Sequence, residues 1–375
     1  MNSDDSMAGG STAPPPPTAP GFRDPGSQRS RWIWLGVGLT MAALLYSAFW
    51  SVIANRALDA LDAWASRERQ RGHAVDWKSV EMSGYPFRLI ARLDQPGVLA
   101  VDGEASRWEW HAETATLSGV PWSWNSIRID LSGRHSVTVF QPGEATGQLT
   151  VLDAHALRID AGLDEGIWHR ISWSASDLQI VRKNRVISKV SEITGELTRE
   201  SIPGADERTR TGGLTFEIRD LDAPILGSAL IRAAGSFFRL VSLDAEIYGP
   251  SLSNLTEPAL TVWRDAGGVV EVRRVRADYG PLALDAEGTL ALDGQMQPVG
   301  SFTAVLIGFS EAVDGLHGAG IISDGNALTA KLVLGVMAKK DRVTGQTRLP
   351  LPINIQDRTV YAGPLALARI PHIQW

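Results

Sequence analysis

Cysteine is absent from all 375 residues of the chain. This absence excludes disulfide bridges, thiolate metal sites and a cysteine nucleophile. An excess of basic charge is also missing, because 36 lysine and arginine residues are set against 42 aspartate and glutamate residues, which gives a net charge of -6. Proteins that bind a nucleic-acid duplex usually carry a basic excess. We therefore expect no nucleic acid among the partners.

Catalytic and metal-binding motifs are missing as well. The seven histidines form none of the short spacings, such as H-x-x-x-H, that place two metal ligands on one helix face. The nearest approach to the G-x-S-x-G serine motif, Gly308–Ala312, lacks the second glycine. We predict no catalytic residue, no metal and no cofactor, and hence a protein that is not an enzyme.

One long uncharged apolar run is present, at residues 32–54. It is long enough to provide the roughly 20 residues that cross the hydrocarbon of a bilayer. Trp32 and Trp34 at one end, and Tyr46 and Trp50 near the other, lie where interfacial aromatic residues belong. A cleaved signal peptide is the alternative, but its apolar core is usually only about 7–15 residues long. We predict a retained transmembrane helix with the lipid bilayer as its partner.

The flanks of this run differ in character. Residues 1–31 are rich in Pro, Gly and Ser, which predicts a disordered tail. Arg23, Arg29 and Arg31 precede the run and favour an N-terminus inside the cytoplasm, although Arg56 follows the run closely. The bulk of the chain would then lie outside the cytoplasm.

A change of hydrophobic period divides the rest of the chain. Residues 55–72 keep a helical spacing, which predicts a juxtamembrane helix with Gly72 as its C-cap. Period-two alternation then predicts a first β region at 73–200 and a second at 214–375, joined by a polar hairpin loop or linker at 201–213. Short helices are predicted at 223–232 and 326–340, the latter with Asn326 as N-cap, whereas 259–265 is predicted as a strand.

The predicted fold class is mainly β. An N-terminal transmembrane helix is followed by an extended or sandwich-like, mostly antiparallel β structure with a few short helices.

A resemblance to a known family rests on several segments. The most specific is Gly84, Tyr85, Pro86, Phe87 and Arg88, which reads as Gly-(Phe or Tyr)-Pro-x-Arg; Trp77 precedes it, and the ending Leu349–Pro371 closes the pattern. The chain resembles, over residues 32–375, the DUF2125 family of uncharacterised bacterial proteins, mostly alphaproteobacterial. The resemblance implies a single-pass protein of the bacterial inner membrane with its bulk in the periplasm. The family has no assigned activity, so no catalytic residue is carried over. The architecture is also similar to that of AsmA-type envelope proteins.

Paired tryptophans are the best candidates for an apolar or stacking surface. Trp108 and Trp110 lie on one strand face, and so do Trp122 and Trp124. We favour a packed core for them, with an apolar ligand groove and a carbohydrate platform as alternatives. Lipid contact is expected instead in the second β region, where Leu290 and Leu292 share an apolar face. The family element at residues 84–88 is expected to be a turn, with a partner contact through Arg88 as the alternative.

These features together predict a tethered periplasmic β scaffold of unknown specific role, serving envelope biogenesis or lipid handling, with a lipid or an envelope protein as partner. One alternative is a tethered envelope enzyme that acts on glycan or lipid, motivated by the Trp pairs and by the neighbouring carboxylates Asp220 and Asp222. The other is a protein-interaction module with exposed β edges.

Overall fold

The computed structural model divides the chain into two compact units, residues 1–52 and residues 53–375. Much of the short helix predicted at 223–232 falls outside the residues that the structure describes. The described residues are 26–102, 106–140, 147–164, 166–224, 235–252, 254–342, 345–363, 365–373 and 375.

Helix α1 begins at Gly26 and ends at Gln70. It joins the predicted transmembrane and juxtamembrane helices into one element. The large apolar side chains of its first half are exposed, Leu39 by 75% and Leu44 by 66%. Among the described residues, α1 is the one helix long and apolar enough to cross a membrane.

The C-terminal end of α1 is closed by a Schellman motif. Gly72, at φ +94°, adopts the left-handed conformation that favours glycine. The amide of Gly72 donates to the Arg69 carbonyl at 3.1 Å, and that of His73 to the Glu68 carbonyl at 3.0 Å. The predicted C-cap at Gly72 is therefore confirmed.

Three short helices lie among the described residues of the second half of the chain: α2 at Glu257–Asp265, α3 at Phe309–Gly318 and α4 at Asp324–Met337. The prediction of a strand at 259–265 is wrong. Pro258 lies in the first turn of α2, where proline suits a helix start, and Leu260 and Trp263 are buried at helical spacing. Asn326 is not the N-cap of α4, because the Ser323 side chain accepts the amide of Asn326 and takes that role.

The remaining structure is mainly antiparallel β, as predicted. Chain reversals at Gly, Pro, Asn and Asp separate the strands, in line with the turn signals in the sequence. The part of the chain that the structure describes contains 21 strands: β1 Ala74–Asp76, β2 Ser79–Ser83, β3 Leu89–Asp94, β4 Gly97–Asp102, β5 Ser106–Ala112, β6 Thr114–Val120, β7 Ser123–Asp130, β8 Gly133–Phe140, β9 Gln148–Ala154, β10 Ala156–Asp164, β11 Ile167–Arg182, β12 Arg185–Arg199, β13 Arg210–Asp222, β14 Phe237–Tyr248, β15 Val269–Tyr279, β16 Leu282–Leu292, β17 Pro298–Ile307, β18 Lys339–Lys340, β19 Thr347–Gln356, β20 Thr359–Ala362 and β21 Leu365–Arg369.

The sheet forks at the long strand β11. One half of one edge of β11 pairs with β10, and the other half pairs with β9. Branch A continues from β10 through β7, β6 and β3 to β2. Branch B continues from β9 through β8, β5 and β4 to β1. The opposite edge of β11 carries a meander from β12 to β17, which continues through β19.

A single apolar row crosses the sheet from β2 to β19, and we call it the central row. Directly opposed residues share a face, so the row lies on one side of the sheet throughout. Its thirteen strands at about 4.8 Å spacing span about 58 Å. Its members are Met82, Ala91, Leu117, Ile129, Ile159, Trp173, Gly195, Phe216, Leu243, Val275, Ala286, Ala304 and Leu351.

A second apolar row, the parallel row, runs beside it on the same face. It is offset by two residues along each of the first strands, as the pleat requires. Its members are Ile127, Ala161, Ile171, Leu197, Leu214, Ala245, Val272, Gly288, Phe302, Ile353 and Ala362.

From β2 to β16, the opposite face of the sheet is polar. One residue away from the central row, the paired positions are Glu81, Arg92, Thr116, Asp130, Arg158, Ser174, Thr194, Glu217, Ser242, Arg276 and Asp285. Ion pairs lie on this face, including Arg128 with Asp160 at 2.6 Å and Arg170 with Glu196 at 3.6 Å. Such exposed pairs contribute little stability one by one, so the face serves mainly solvation.

The polar segment predicted as a hairpin loop or a linker joins two paired strands. β12 and β13 are bonded to each other along most of their length, from Lys189 opposite Asp222 to Arg199 opposite Gly212. The segment is therefore the loop of a long hairpin, and the sheet continues across it.

The packing of the central row can be tested by a substitution at Gly195. A Cβ atom on Gly195 would overlap the indole of Trp173 and lie 2.9 Å from the Thr215 carbonyl oxygen. We expect Gly195→Ala to lower the free energy of unfolding by about 1–3 kcal/mol, as overpacking does. Urea unfolding of the full-length protein in detergent, followed by tryptophan fluorescence, measures the change.

Gly119→Ala is the matched control for this test. Gly119 also lies in a strand, but the nearest atom to its built Cβ is the Ser126 carbonyl oxygen at 3.4 Å. Equal destabilisation by the two substitutions would show that the loss comes from glycine itself and not from the Trp173 contact.

Candidate apolar binding site

A partly open cavity of about 570 Å³ lies between the two branches of the fork and the C-terminal part of α1. We call it cavity 1. Its volume lies within the range of roughly 300–1,000 Å³ typical of small-molecule sites.

Branch A supplies one wall of cavity 1. The first four members of the central row, Met82, Ala91, Leu117 and Ile129, all line the cavity, and Ile127 of the parallel row joins them. The cavity is therefore the place where the apolar face of the sheet begins.

Branch B supplies the facing wall. Val75, Val98 and Trp110 are opposed across β1, β4 and β5, so their side chains share one face. The Trp110 ring stacks on the buried His135, with the ring centroids 5.9 Å apart and the planes at 16°. The Nε2 atom of His135 is hydrogen-bonded to the Leu131 carbonyl. This contact holds the histidine ring, and the ring in turn fixes the orientation of Trp110.

Helix α1 covers cavity 1 with a single stripe. Ala57, Ala60, Leu61 and Trp64 follow the spacing i, i+3, i+4 and i+7 that places residues on one helix face. The two alanines add little volume, so space remains between the helix and the sheet. The helical spacing predicted at 55–72 thus positions the cover of a cavity.

The lining of cavity 1 is almost free of charge. Among the described lining residues, Asp76 is the one ionisable residue, and Ser118, Ser123 and Ser126 are the hydroxyl residues. Burial of apolar surface is favourable by about 25 cal/mol per Å². An isolated buried charge in such a site would be costly. The cavity therefore suits a hydrocarbon and not a sugar.

The predicted tryptophan surface is only partly brought together. Trp110 and Trp124 line cavity 1, and Trp108 is half-buried outside its lining. The expectation of a packed core is wrong for Trp122 and Trp124, which are 60% and 50% exposed. Trp122 lies in the turn before β7.

The family element at Gly84–Arg88 forms the turn between β2 and β3, as expected. The Arg88 amide donates to the Gly84 carbonyl at 2.9 Å, and the Tyr85–Pro86 peptide is cis. Gly84 has φ +96°, and a Cβ there would lie 2.8 Å from the Arg88 carbonyl oxygen, so glycine is required. Tyr85 and Phe87 are exposed, so Phe87 does not share the buried face of Leu89.

A second partly open cavity, of about 410 Å³, lies under α2 on the meander. We call it cavity 2. Leu197 and Leu214 of the parallel row contribute to its lining, as do Leu290 and Leu292, for which the sequence predicts lipid contact. The buried Trp263 anchors α2, because its Nε1 donates to the Tyr248 carbonyl at 3.0 Å.

Most lining residues of cavity 1 were not singled out by the sequence. Leu117, Ile129 and Ala91 are ordinary alternating strand residues, and no local signal distinguishes them from core. The one available signal was the helical stripe of α1, which continues past the length needed to cross a bilayer. The sequence does not show that branches A and B face each other.

Comparison with known proteins gives a family and no function. The family model described as "Uncharacterized protein conserved in bacteria (DUF2125)" matches residues 50–371, a narrower range than the 32–375 expected from the motifs. No curated protein matches the chain. The expected similarity to AsmA-type envelope proteins is not shown. Because the family match covers most of the sequence, the chain belongs to the DUF2125 family of bacterial proteins.

Proposed function

We propose that this protein is a membrane-anchored scaffold that binds acyl chains of lipids on the apolar face of its sheet and serves biogenesis of the bacterial envelope. The observation that carries the proposal is cavity 1. Its described lining contains one ionisable residue, and the central row begins at this cavity. Each buried methylene group contributes about 0.8 kcal/mol, so even part of an acyl chain would bind usefully after the cost of ordering it.

The exposure of the central row supports the same proposal. Of its thirteen members, Ala286 and Ala304 are buried and the others are half-buried. A row that served only as a core would be closed from solvent, because interiors pack to high density. A half-covered apolar face instead suits a ligand that is itself apolar.

The proposed location is the bacterial inner membrane, with residues 53–375 in the periplasm. Arg23, Arg29 and Arg31 precede the uncharged run at 32–54, and positive residues favour the cytoplasmic side. The lack of cysteine also suits an oxidising compartment.

Site-specific photo-crosslinking in cells tests the function. We expect full-length protein carrying p-benzoylphenylalanine in place of Leu117 to form a lipid adduct on irradiation, because this side chain lines cavity 1. Intact mass spectrometry of the purified protein measures the adduct.

The matched control replaces Thr116, the preceding residue, which lies in the polar row of the same strand. We expect at least tenfold less adduct at this position. Adducts of equal yield at both positions, or none at Leu117 in protein with native circular dichroism, would contradict the proposal.

The proposed orientation has its own test. We expect a phosphatase reporter that is active only in the periplasm to be active when it is fused after Trp375, because the basic residues Arg23, Arg29 and Arg31 hold the N-terminus inside. Activity of a cytoplasm-only reporter at the same junction, with an inactive periplasmic one, would reverse the topology.

A protein-interaction module is the second candidate, and helix α4 is the observation that favours it. Leu328, Leu332 and Val336 follow one helix face and are 63%, 62% and 88% exposed. Exposed apolar faces of this kind mark contact surfaces. Ala327 is the one buried residue among the described residues of α4.

This candidate predicts protein crosslinks at α4. With p-benzoylphenylalanine in place of Leu332, we expect a discrete adduct of higher protein mass on a denaturing gel if α4 binds a protein. The exposed Asn326, about 120° around the axis of α4 from Leu332, serves as control. A lipid adduct or no adduct at Leu332 would count against the interaction module.

The alternative of a tethered enzyme has less support. In the described part of the chain, no three His, Asp or Glu side chains form a group able to hold a metal. The candidate carboxylate Asp222 accepts a hydrogen bond from the Ser236 hydroxyl, away from cavity 1. We therefore propose a protein that binds and does not catalyse.

A further inference from the structure

We propose that one end of branch A contacts the surface of a phospholipid bilayer through exposed aromatic side chains, and that acyl chains enter cavity 1 from the bilayer at this end. We call Phe87, Trp122 and Trp124 the aromatic edge. The bilayer contact follows from the geometry of the sheet. The entry of an acyl chain rests on the proposed function and deepens it, because it names the source of the lipid and the end of the cavity that receives it.

The aromatic edge is assembled from two neighbouring turns. Phe87 lies in the turn between β2 and β3, and Trp122 lies in the turn between β6 and β7. Leu89 begins β3 and is opposite Gly119, near the end of β6, so both turns lie at the same end of branch A. Two strand spacings of about 4.8 Å separate the turns, or about 10 Å. Residues distant in sequence thus lie side by side.

The side chains of the aromatic edge are exposed far more than is usual for large aromatic residues. Phe87 is 70% exposed, Trp122 60% and Trp124 50%. Aromatic side chains of this size are mostly buried in soluble proteins. An exposed group of them marks a contact with a protein or with a membrane. Tryptophan suits the bilayer interface, because its ring is apolar while its N–H group can stay hydrated.

Cavity 1 extends to the aromatic edge, and this continuity favours a bilayer over a protein as the partner. Trp124 belongs to both, because it lines cavity 1 while half of its surface is exposed. Gly119, Val120 and Ser123, at the facing ends of β6 and β7, also line the cavity. A bilayer can supply an acyl chain at this end, whereas a protein bound there would close it.

The direction of α1 places its first cavity-lining residue near the same end. Arg69 donates from Nε to the Val75 carbonyl at 3.0 Å, which fixes the last turns of α1 against β1. Val75 is opposite Val98 at the start of β4, and β4 follows the end of β3 that is remote from the aromatic edge. Ala57 lies about 18 Å back along the helix axis from Arg69, at 1.5 Å per residue. This distance is close to the length of β3, a strand of 6 residues, so Ala57 lies near the aromatic edge.

The sequence of α1 places a bilayer interface close to Ala57. The uncharged apolar run at 32–54 is long enough to cross a bilayer, and Ala57 follows its end by three residues. Because α1 is one continuous helix, Ala57 lies about 5 Å beyond the run along the axis. The head-group layer lies at this distance from the hydrocarbon, and interfacial aromatic residues concentrate there.

The test of the bilayer contact uses the absence of cysteine, since one introduced cysteine can be labelled alone. Full-length protein with Phe87→Cys or Trp122→Cys is labelled with nitrobenzoxadiazole and placed in nanodiscs of phosphatidylcholine. We expect phosphatidylcholine with a nitroxide close to its head group to quench both labels about threefold more than a label at Glu113→Cys. Glu113 is the control, because it is exposed and precedes β6 at the opposite end of branch A.

The test of entry combines the aromatic edge with the photo-crosslink at Leu117. We expect Trp122→Asp to reduce the lipid adduct at Leu117 about fivefold, because the charge weakens contact with the bilayer, and Trp122→Phe to retain the adduct. Trp122 is outside the lining of cavity 1, so its replacement leaves the cavity wall unchanged. If Trp122→Asp lacks native circular dichroism, Phe87→Asp in the other turn provides the same test.

Each outcome has a stated consequence. Strong quenching of the Phe87 and Trp122 labels by aqueous iodide, without quenching by the lipid nitroxide, overturns the bilayer contact. Weak quenching by both overturns it in favour of a protein that covers the aromatic edge. An adduct at Leu117 that Trp122→Asp leaves unchanged overturns entry at this end, and the proposed function stands. Absence of the adduct without any change at Trp122 overturns the proposed function, whereas quenching by the lipid nitroxide would still support the bilayer contact.

Discussion

The register of the strands is the constraint on which the rest of the structure depends. Each strand alternates apolar and polar residues, but alternation alone only gives every strand two unlike faces. The faces join into one because each strand is paired in phase with its neighbour. A slip of one residue at any strand would turn the apolar side chains beyond it to the polar face. Glu217 and Phe216, for example, are neighbours in β13, yet one belongs to a polar row and the other to the central row. The pairing register therefore determines which side chains form the walls of both cavities.

A continuous apolar face of a sheet is normally covered by a second layer of structure. In a closed sandwich a second sheet supplies that cover, and here branch B does so only over branch A, where cavity 1 remains between them. Over the meander, α2 covers part of this face at cavity 2, where Leu260 and Trp263 anchor it. Most of the central row is left half-buried. The free energy available from burying this face is thus not used fully by the chain itself, which is the physical reason for expecting an apolar ligand.

Much of the architecture could be predicted from the sequence, because it depends on local periodicity. The long apolar run, the helical stripe that follows it, Gly72 as C-cap and the period-two strands are all local signals. The fork could not be predicted, because it depends on pairings such as β3 with β6 and β5 with β8, which join strands distant in sequence. Helix α2 was missed for a related reason. Its short run of β-favouring residues reads as a strand, and burial of Trp263 against the sheet overrides that propensity.

The candidate site was predicted less well than the fold, and the reason lies in the type of residue that builds it. Tryptophan pairs attract attention in a sequence, yet Trp122 is exposed in a turn, whereas Leu117 and Ile129 line cavity 1 without any distinguishing motif. A hydrocarbon is recognised by shape and by the absence of charge, and neither property leaves a motif. The site becomes visible only when the register shows which alternating residues meet.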